Sequence, residues 1–136
     1  LVAKPEFEKL IQTGQLLEWA EVHRNYYGTS KTFLEQQSAA GKVVVLDIDV
    51  QGVDSVRAAF GDRCVSIFIL PPNMQVLEQR LRQRSTEPEE KIQQRLKNAV
   101  VEMSRAKDFD YRLVNNDLQT SFREHCAIVE KEVGLA

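Results

Sequence analysis

Apolar residues recur along this chain in two alternating rhythms. Phe7, Leu10 and Ile11 have the spacing of one helix face over residues 5–12, and Gly14 is a natural stop. Residues 16–22 read as a strand, and residues 26–30 as a turn into a helix over 31–40 that Gly41 ends. The run Val43-Val44-Val45-Leu46, between Lys42 and Asp47, is strongly β-branched, the pattern of a strand buried on both faces of a parallel sheet. A short helix over 53–60 is closed by Gly61, and a second buried strand over 64–70 is stopped by Pro71-Pro72. Asn73 is placed to cap a helix carrying Met74, Val76, Leu77 and Leu81. Thr86-Glu87-Pro88-Glu89 has the form of a capping box with proline in the first turn, opening a helix with Ile92, Leu96, Ala99, Val100 and Met103 on one side. A third strand over 111–115 and an amphipathic helix over 118–133 complete the chain. The alternation predicts an α/β fold, with a parallel core near 43–47, 64–69 and 111–115 and a strand-rich lobe near 16–30.

Composition narrows the class of protein. The 136 residues make one domain's worth of chain, and 43% hydrophobic with 28% charged residues is ordinary for a soluble globular protein. A net charge of −2 supplies no global field toward nucleic acid or an anionic membrane, so neither is expected as a partner. Arg80, Arg82, Arg84, Lys91, Arg95 and Lys97 nevertheless crowd one region, which points to a local anion site. The polar stretch over 82–91 reads as a mobile lid. Cys64 and Cys126 match no metal or redox spacing and read as buried reduced thiols of a cytoplasmic protein. No apolar run has membrane-span length and no signal-peptide pattern opens the chain. Its first residue is Leu1, and the chain reads as a piece of a longer protein that acts as a monomer or homodimer.

Four groups of residues carry candidate chemistry. Glu18 can accept from both N1–H and the exocyclic N2–H₂ of guanine, and Tyr27 and Thr29 can offer neutral donors to the same ligand, with Gly28 allowing close backbone approach. The plain alternative is a surface glutamate beside two packed aromatics. Asp47 and Asp49 close the β-branched run, where the carboxyl end of a buried parallel strand meets the ligand crevice of an open α/β sheet; Asp47 there can hold Mg²⁺ directly or through water. In a strict strand the two would point to opposite sides. Arg80 and Arg84, four apart, share a helix face, and Arg95 lies between Ile92 and Ala99 on an apolar stripe that would turn it inward toward a cleft. A solvated face laced with Glu–Arg pairs is the alternative for this charge run. Asn115 ends the third strand and Asn116 follows it, and Asn116 or Asp117 can cap the last helix. His23 and His125 have no partner at a recognisable spacing and read as structural, as do Trp19 and Phe109 as packing residues.

Three of these runs together resemble the guanylate kinases. The segment Glu18-Trp19-Ala20, then Asn25-Tyr26-Tyr27-Gly28-Thr29, matches the family's E-W-A-x-x-x-x-N-Y-Y-G-[ST]. Val43 to Asp49 is similar to its Walker B strand, and Arg80 with Arg84, Thr86-Glu87, Glu89-Glu90 and Arg95-Leu96 follows its lid pattern. Two positions depart from it: Arg24 and Ser85 stand where glycine is common.

The resemblance implies a P-loop NTPase-like parallel sheet flanked by helices, with a small strand-rich GMP-binding lobe and a helical lid. It divides the chain into a lobe at 1–41, a core at 42–81 and 108–136, and a lid region at 82–107. It implies ATP and GMP as partners, Mg²⁺ with the ATP, and phosphoryl transfer giving ADP and GDP. Glu18, Tyr27, Gly28, Thr29, Asp47 and Asp49 would bind GMP. Arg80, Arg84 and Arg95 would be catalytic, and Arg80, Arg84, Asn115 and Asn116 would meet ATP. No G-x-x-x-x-G-K-[ST] loop occurs; Gly41-Lys42 is the only Gly-Lys pair and valine follows it. The activity is therefore expected of a complete protein and not of this chain alone. A non-catalytic module that binds GMP or phosphopeptides, or an inert fragment, is the alternative.

Overall fold

A computed structural model describes residues 1–22, 24–84 and 86–134. The contacts divide into two compact units, Leu1–Cys64 and Val65–Ala136.

In the first unit, helix α1 (Lys4–Gln12) leads into strand β1 (Leu16–Val22), which pairs antiparallel with β2 (Asn25–Ser30). Helix α2 (Lys31–Ala39) follows directly, because the Ser30 hydroxyl accepts from the Phe33 N–H and satisfies one of its open donors. Helix α3 (Val50–Phe60) is capped in the same way by Asp49, whose carboxylate accepts from Gly52 N–H at 2.8 Å. It packs on β1 and ends at Gly61, whose φ of +56° suits a residue without a Cβ. Among the described residues here, Phe7, Leu34 and Val56 are the buried apolar side chains.

In the second unit, β3 (Ile67–Leu70) and β4 (Tyr111–Val114) pair in parallel, joined through α4 (Met74–Arg84) and α5 (Glu89–Met103). Helix α6 (Leu118–Glu132) packs back on β4. Ser66 and Asp110 lock the start of this ladder: the carboxylate accepts from both the N–H and the hydroxyl of Ser66, and the Asp110 N–H donates to that hydroxyl. Phe109 packs edge-on to Phe68 at 5.0 Å and is buried with Ile92, Ala106 and Leu113, as a packing residue should be.

The α/β class and the parallel pairing of β3 with β4 agree with the sequence pattern. Four local expectations need correction. Residues 26–30 are a strand, not a turn, because Asn25 to Ser30 find ladder partners along β1. Residues 43–47 form no strand and are not buried: among the described residues no neighbour offers them a ladder, and Val43 and Val45 stand 60% and 68% exposed. The capping box at Thr86 does not form. Pro88 is the N-cap of α5 with no side-chain bond, while Glu87 turns to an arginine. Cys64 and Cys126 are half-buried rather than buried. The expectations for His23 and Ser85 lie outside the described residues.

Arg24 sits in the β1–β2 turn with φ of +66°, the one described non-glycine residue in the left-handed region. This geometry accounts for the glycine common at this position, which adopts it without a Cβ clash. The left-handed conformation costs an L-residue roughly 1–2 kcal/mol, and the greater freedom of an unfolded glycine returns about 0.5–1 of it. Arg24→Gly is therefore expected to stabilise the chain by about 0.5–1 kcal/mol, raising the thermal midpoint by about 2–3 °C. A lowered midpoint would contradict the strain.

Candidate functional site

The first group of candidates lies on the β1–β2 hairpin, and a bulge decides its arrangement. Leu16 pairs with Ser30, but Glu18 pairs with Thr29, so Leu17 is an extra residue in β1. Strict alternation would put Leu16 and Glu18 on one face. The bulge instead leaves Leu16 on the face of Gly28 and Tyr26, and moves Glu18 to the face of Thr29 and Tyr27.

The two faces differ in kind. On one, Phe7 stacks on Tyr26 at 5.4 Å, Trp19 meets the same ring edge-on at 6.0 Å, and Lys4 Nζ lies 5.3 Å from its centroid. Gly28 belongs here. A Cβ on it would meet the Glu18 carbonyl oxygen at 2.9 Å and Phe7 at 3.1 Å, so its small size makes room for the facing strand and for α1 packing. On the other face Thr29 donates a short hydrogen bond to a carboxylate oxygen of Glu18, and Tyr27, opposite Ala20, stands 59% exposed. The structure therefore brings Glu18, Thr29 and Tyr27 together as one polar, accessible surface. A carboxylate steadied by one neighbouring hydroxyl keeps its other oxygen for an outside donor.

Asp47 and Asp49 are divided by their surroundings. Asp49 is tied to the N-terminus of α3, whereas Asp47 is exposed and makes no hydrogen bond or ion pair among the described residues. They do not flank a strand, so the alternation argument does not apply to them. Among the described residues no group of three or more His, Cys, Asp or Glu could hold a metal ion. A hard cation such as Mg²⁺ usually takes one or two carboxylates and completes its shell with water and phosphate oxygens, and Asp47 fits that modest requirement.

In the second unit four arginines occupy four different environments. Arg80 donates from Nη1 to the Asn115 carbonyl at 2.9 Å, which ties α4 to the end of β4. Arg82 is held by two carboxylates, Glu78 at 2.9 Å and Glu89 through two bonds of 2.5 and 2.7 Å. Arg84 is exposed and makes no such contact among the described residues. Arg95 does not point inward: it is exposed and forms a two-bond fork with Glu87, at 2.8 and 2.7 Å. Its apolar neighbours Ile92 and Ala99 pack without it, and the carboxylate just ahead of α5 takes the guanidinium instead.

Asn115 is placed by both ends. Its backbone N–H donates to Leu70 at 2.7 Å, and its side-chain oxygen accepts from the hydroxyl of the buried Ser121 at 3.2 Å. Asn116 is exposed, and Asp117 is the residue that caps α6, accepting from the N–H and hydroxyl of Thr120. Those bonds hold the Asp117 carboxyl below its ordinary value.

Three contributors escaped the sequence reading. The adjacent pair Leu16-Leu17 breaks strict alternation and is the one signal that marks the bulge. Glu87 was masked by its apparent place in a capping motif. Nothing in the local pattern marks Ser121 as the support of Asn115.

A family model described as guanylate kinase matches residues 1–132. The guanylate kinase of Francisella tularensis subsp. tularensis is 43% identical over 97% of this chain and 70% of its own length. That of Aromatoleum aromaticum is 48% identical over 90% of this chain and 60% of its own length. The crystal structure of guanylate kinase from Anaplasma phagocytophilum matches with a TM-score of 0.76 at 32% identity, covering 97% of this chain and 63% of that one. The chain thus spans between 60% and 70% of the lengths of these relatives.

The α4–α5 clamp has a measurable pH signature. Hydrogen bonds from Arg82, and then Gln93, lower the Glu89 carboxyl from its ordinary 4.5 to about 2. A lowered carboxylate contributes fully above its unfolded value, so the clamp should be intact above about pH 4.5 and lost as pH falls through about 2. The side-chain carbon resonance of Glu89 should titrate near 2 and move toward 4.5 in Arg82→Ala. An unchanged midpoint in the variant would contradict the assignment.

Proposed function

This chain belongs to the guanylate kinase family, and we propose that its complete protein transfers a phosphoryl group from ATP to GMP, giving ADP and GDP. The observation that carries this reading is the shared face of Glu18, Thr29 and Tyr27. Glu18 would accept from guanine N1–H and N2–H₂ while Thr29 holds its carboxylate in place. Tyr27 and Thr29 would position the nucleotide. The relatives described above are all named as kinases, and nothing favours a non-catalytic binding module.

The remaining assignments follow the chemistry of each group. Arg80, Arg84 and Arg95 would neutralise the charge of the transferring phosphoryl, the part of this reaction that depends on electrostatics and positioning more than on covalent chemistry. Asn115 and Asn116 would meet the adenine of ATP. Residues 82–107 would act as the lid. Asp47, exposed and without a hydrogen bond among the described residues, would hold Mg²⁺ through water, and Asp49 keeps one carboxylate oxygen beside its helix cap. When bound with ATP, that ion would offset negative charge on the phosphates. Turnover is assigned to the complete protein, because these 136 residues contain no glycine-rich donor loop to align the reacting groups. We place it in the cytoplasm, in purine nucleotide metabolism; among the described residues no helix is long and apolar enough to cross a membrane.

Glu18→Gln tests the reading at its base. The amide presents a donor toward N1–H or N2–H₂, and a mispaired hydrogen bond of this kind costs on the order of 1–3 kcal/mol. GMP and AMP titrated into the complete protein and its variant should show GMP affinity falling about five- to 150-fold, with AMP affinity little changed. Equal GMP affinity in the two proteins would mean that Glu18 does not read the base.

A further inference from the structure

The two sides of residue Pro88 are stapled by ion pairs of different character. Glu89 binds Arg82, which Glu78 also binds, so that guanidinium is shared between two carboxylates and serves to join α4 to α5. Glu87 binds Arg95 through Nε and Nη2, using both carboxylate oxygens, and among the described residues no second carboxylate reaches Arg95. The Arg95 side chain is 55% exposed and that of Glu87 22% exposed, so the carboxylate is the better anchored partner. The planar fork that Glu87 fills is the one that two oxygens of a phosphate would fill.

We propose that Glu87 is a stand-in anion for Arg95: it holds the guanidinium until a polyphosphate displaces it, and so sets the anion affinity of this site. The inference rests on Arg95 being a phosphate ligand, as in the function above. Magnitude favours exchange over a permanent structural pair. An exposed or half-exposed ion pair is light, and a carboxylate carries one charge where a triphosphate carries several. Glu87 therefore weakens polyphosphate binding by a small factor without preventing it.

The probe is inorganic tripolyphosphate, titrated into the 136-residue chain by calorimetry and followed at the Arg95 Nε–H resonance. Glu87→Gln should tighten binding about two- to fivefold. In an Arg95→Gln background the same change should give no gain. Glu90→Gln, which removes the same charge at the second residue of α5, should give less than Glu87→Gln. Equal affinity for Glu87→Gln and the parent, an undiminished gain without Arg95, or an equal gain from Glu90→Gln would each overturn the proposal. An Arg95 Nε–H resonance unmoved by tripolyphosphate in both proteins would overturn it too. The guanine reading is judged separately, by the nucleotide titrations of Glu18→Gln, so the two fail independently.

Discussion

The polar face of the β1–β2 hairpin depends on a single inserted residue in a two-stranded ladder. A one-residue slip in a strand sends every following side chain to the opposite face, and the bulge at Leu17 does this once, between Leu16 and Glu18. Leucine is thereby kept against the Phe7–Tyr26 stack while glutamate is delivered to the face of Thr29 and Tyr27. The aromatic face anchors the hairpin to α1, and burial there stabilises the framework that the polar face needs. Gly28 shows how tightly the two demands meet: its missing side chain admits Phe7 one position away from Thr29. The polar face that we propose binds the nucleotide is thus supported by packing on the other.

The second unit places its charges by a different means. Arg80 is fixed on a carbonyl, Arg82 between two carboxylates and Arg95 on one carboxylate, while Arg84 is left to solvent among the described residues. Each arrangement assigns a degree of availability. A guanidinium held by two partners has little left to offer a phosphate, and an exposed one held by a single carboxylate exchanges at small cost. Residue type alone does not separate a structural arginine from a phosphate-binding one; the number and anchoring of its partners does.

Periodicity made the helices and the β3–β4 pairing legible, since each is shaped by local spacing and an apolar face. It failed where a neighbour decides the outcome. Val43 to Val45 carry a strong strand signal, yet a strand needs a ladder, and none among the described residues reaches them. Arg95 has the spacing of an inward residue, but the gain from pairing with Glu87 outweighs any gain from burying a guanidinium. The polar face of the hairpin was legible as a list of residues; its assembly was not, because the register that joins Glu18 to Thr29 is set by a bulge. The sequence also left unseen that Gly28 makes room for the Glu18 carbonyl and the Phe7 ring on the packing face.

The central claim is that one face of the hairpin receives the acceptor nucleotide and the other holds the fold. Nuclear Overhauser contacts between bound GMP and the complete protein would test it directly. The account predicts contacts from the guanine and ribose protons to the Tyr27 ring and the Thr29 methyl, with none to Tyr26 or Trp19. Contacts to the Tyr26 and Trp19 rings with Tyr27 and Thr29 silent would contradict it.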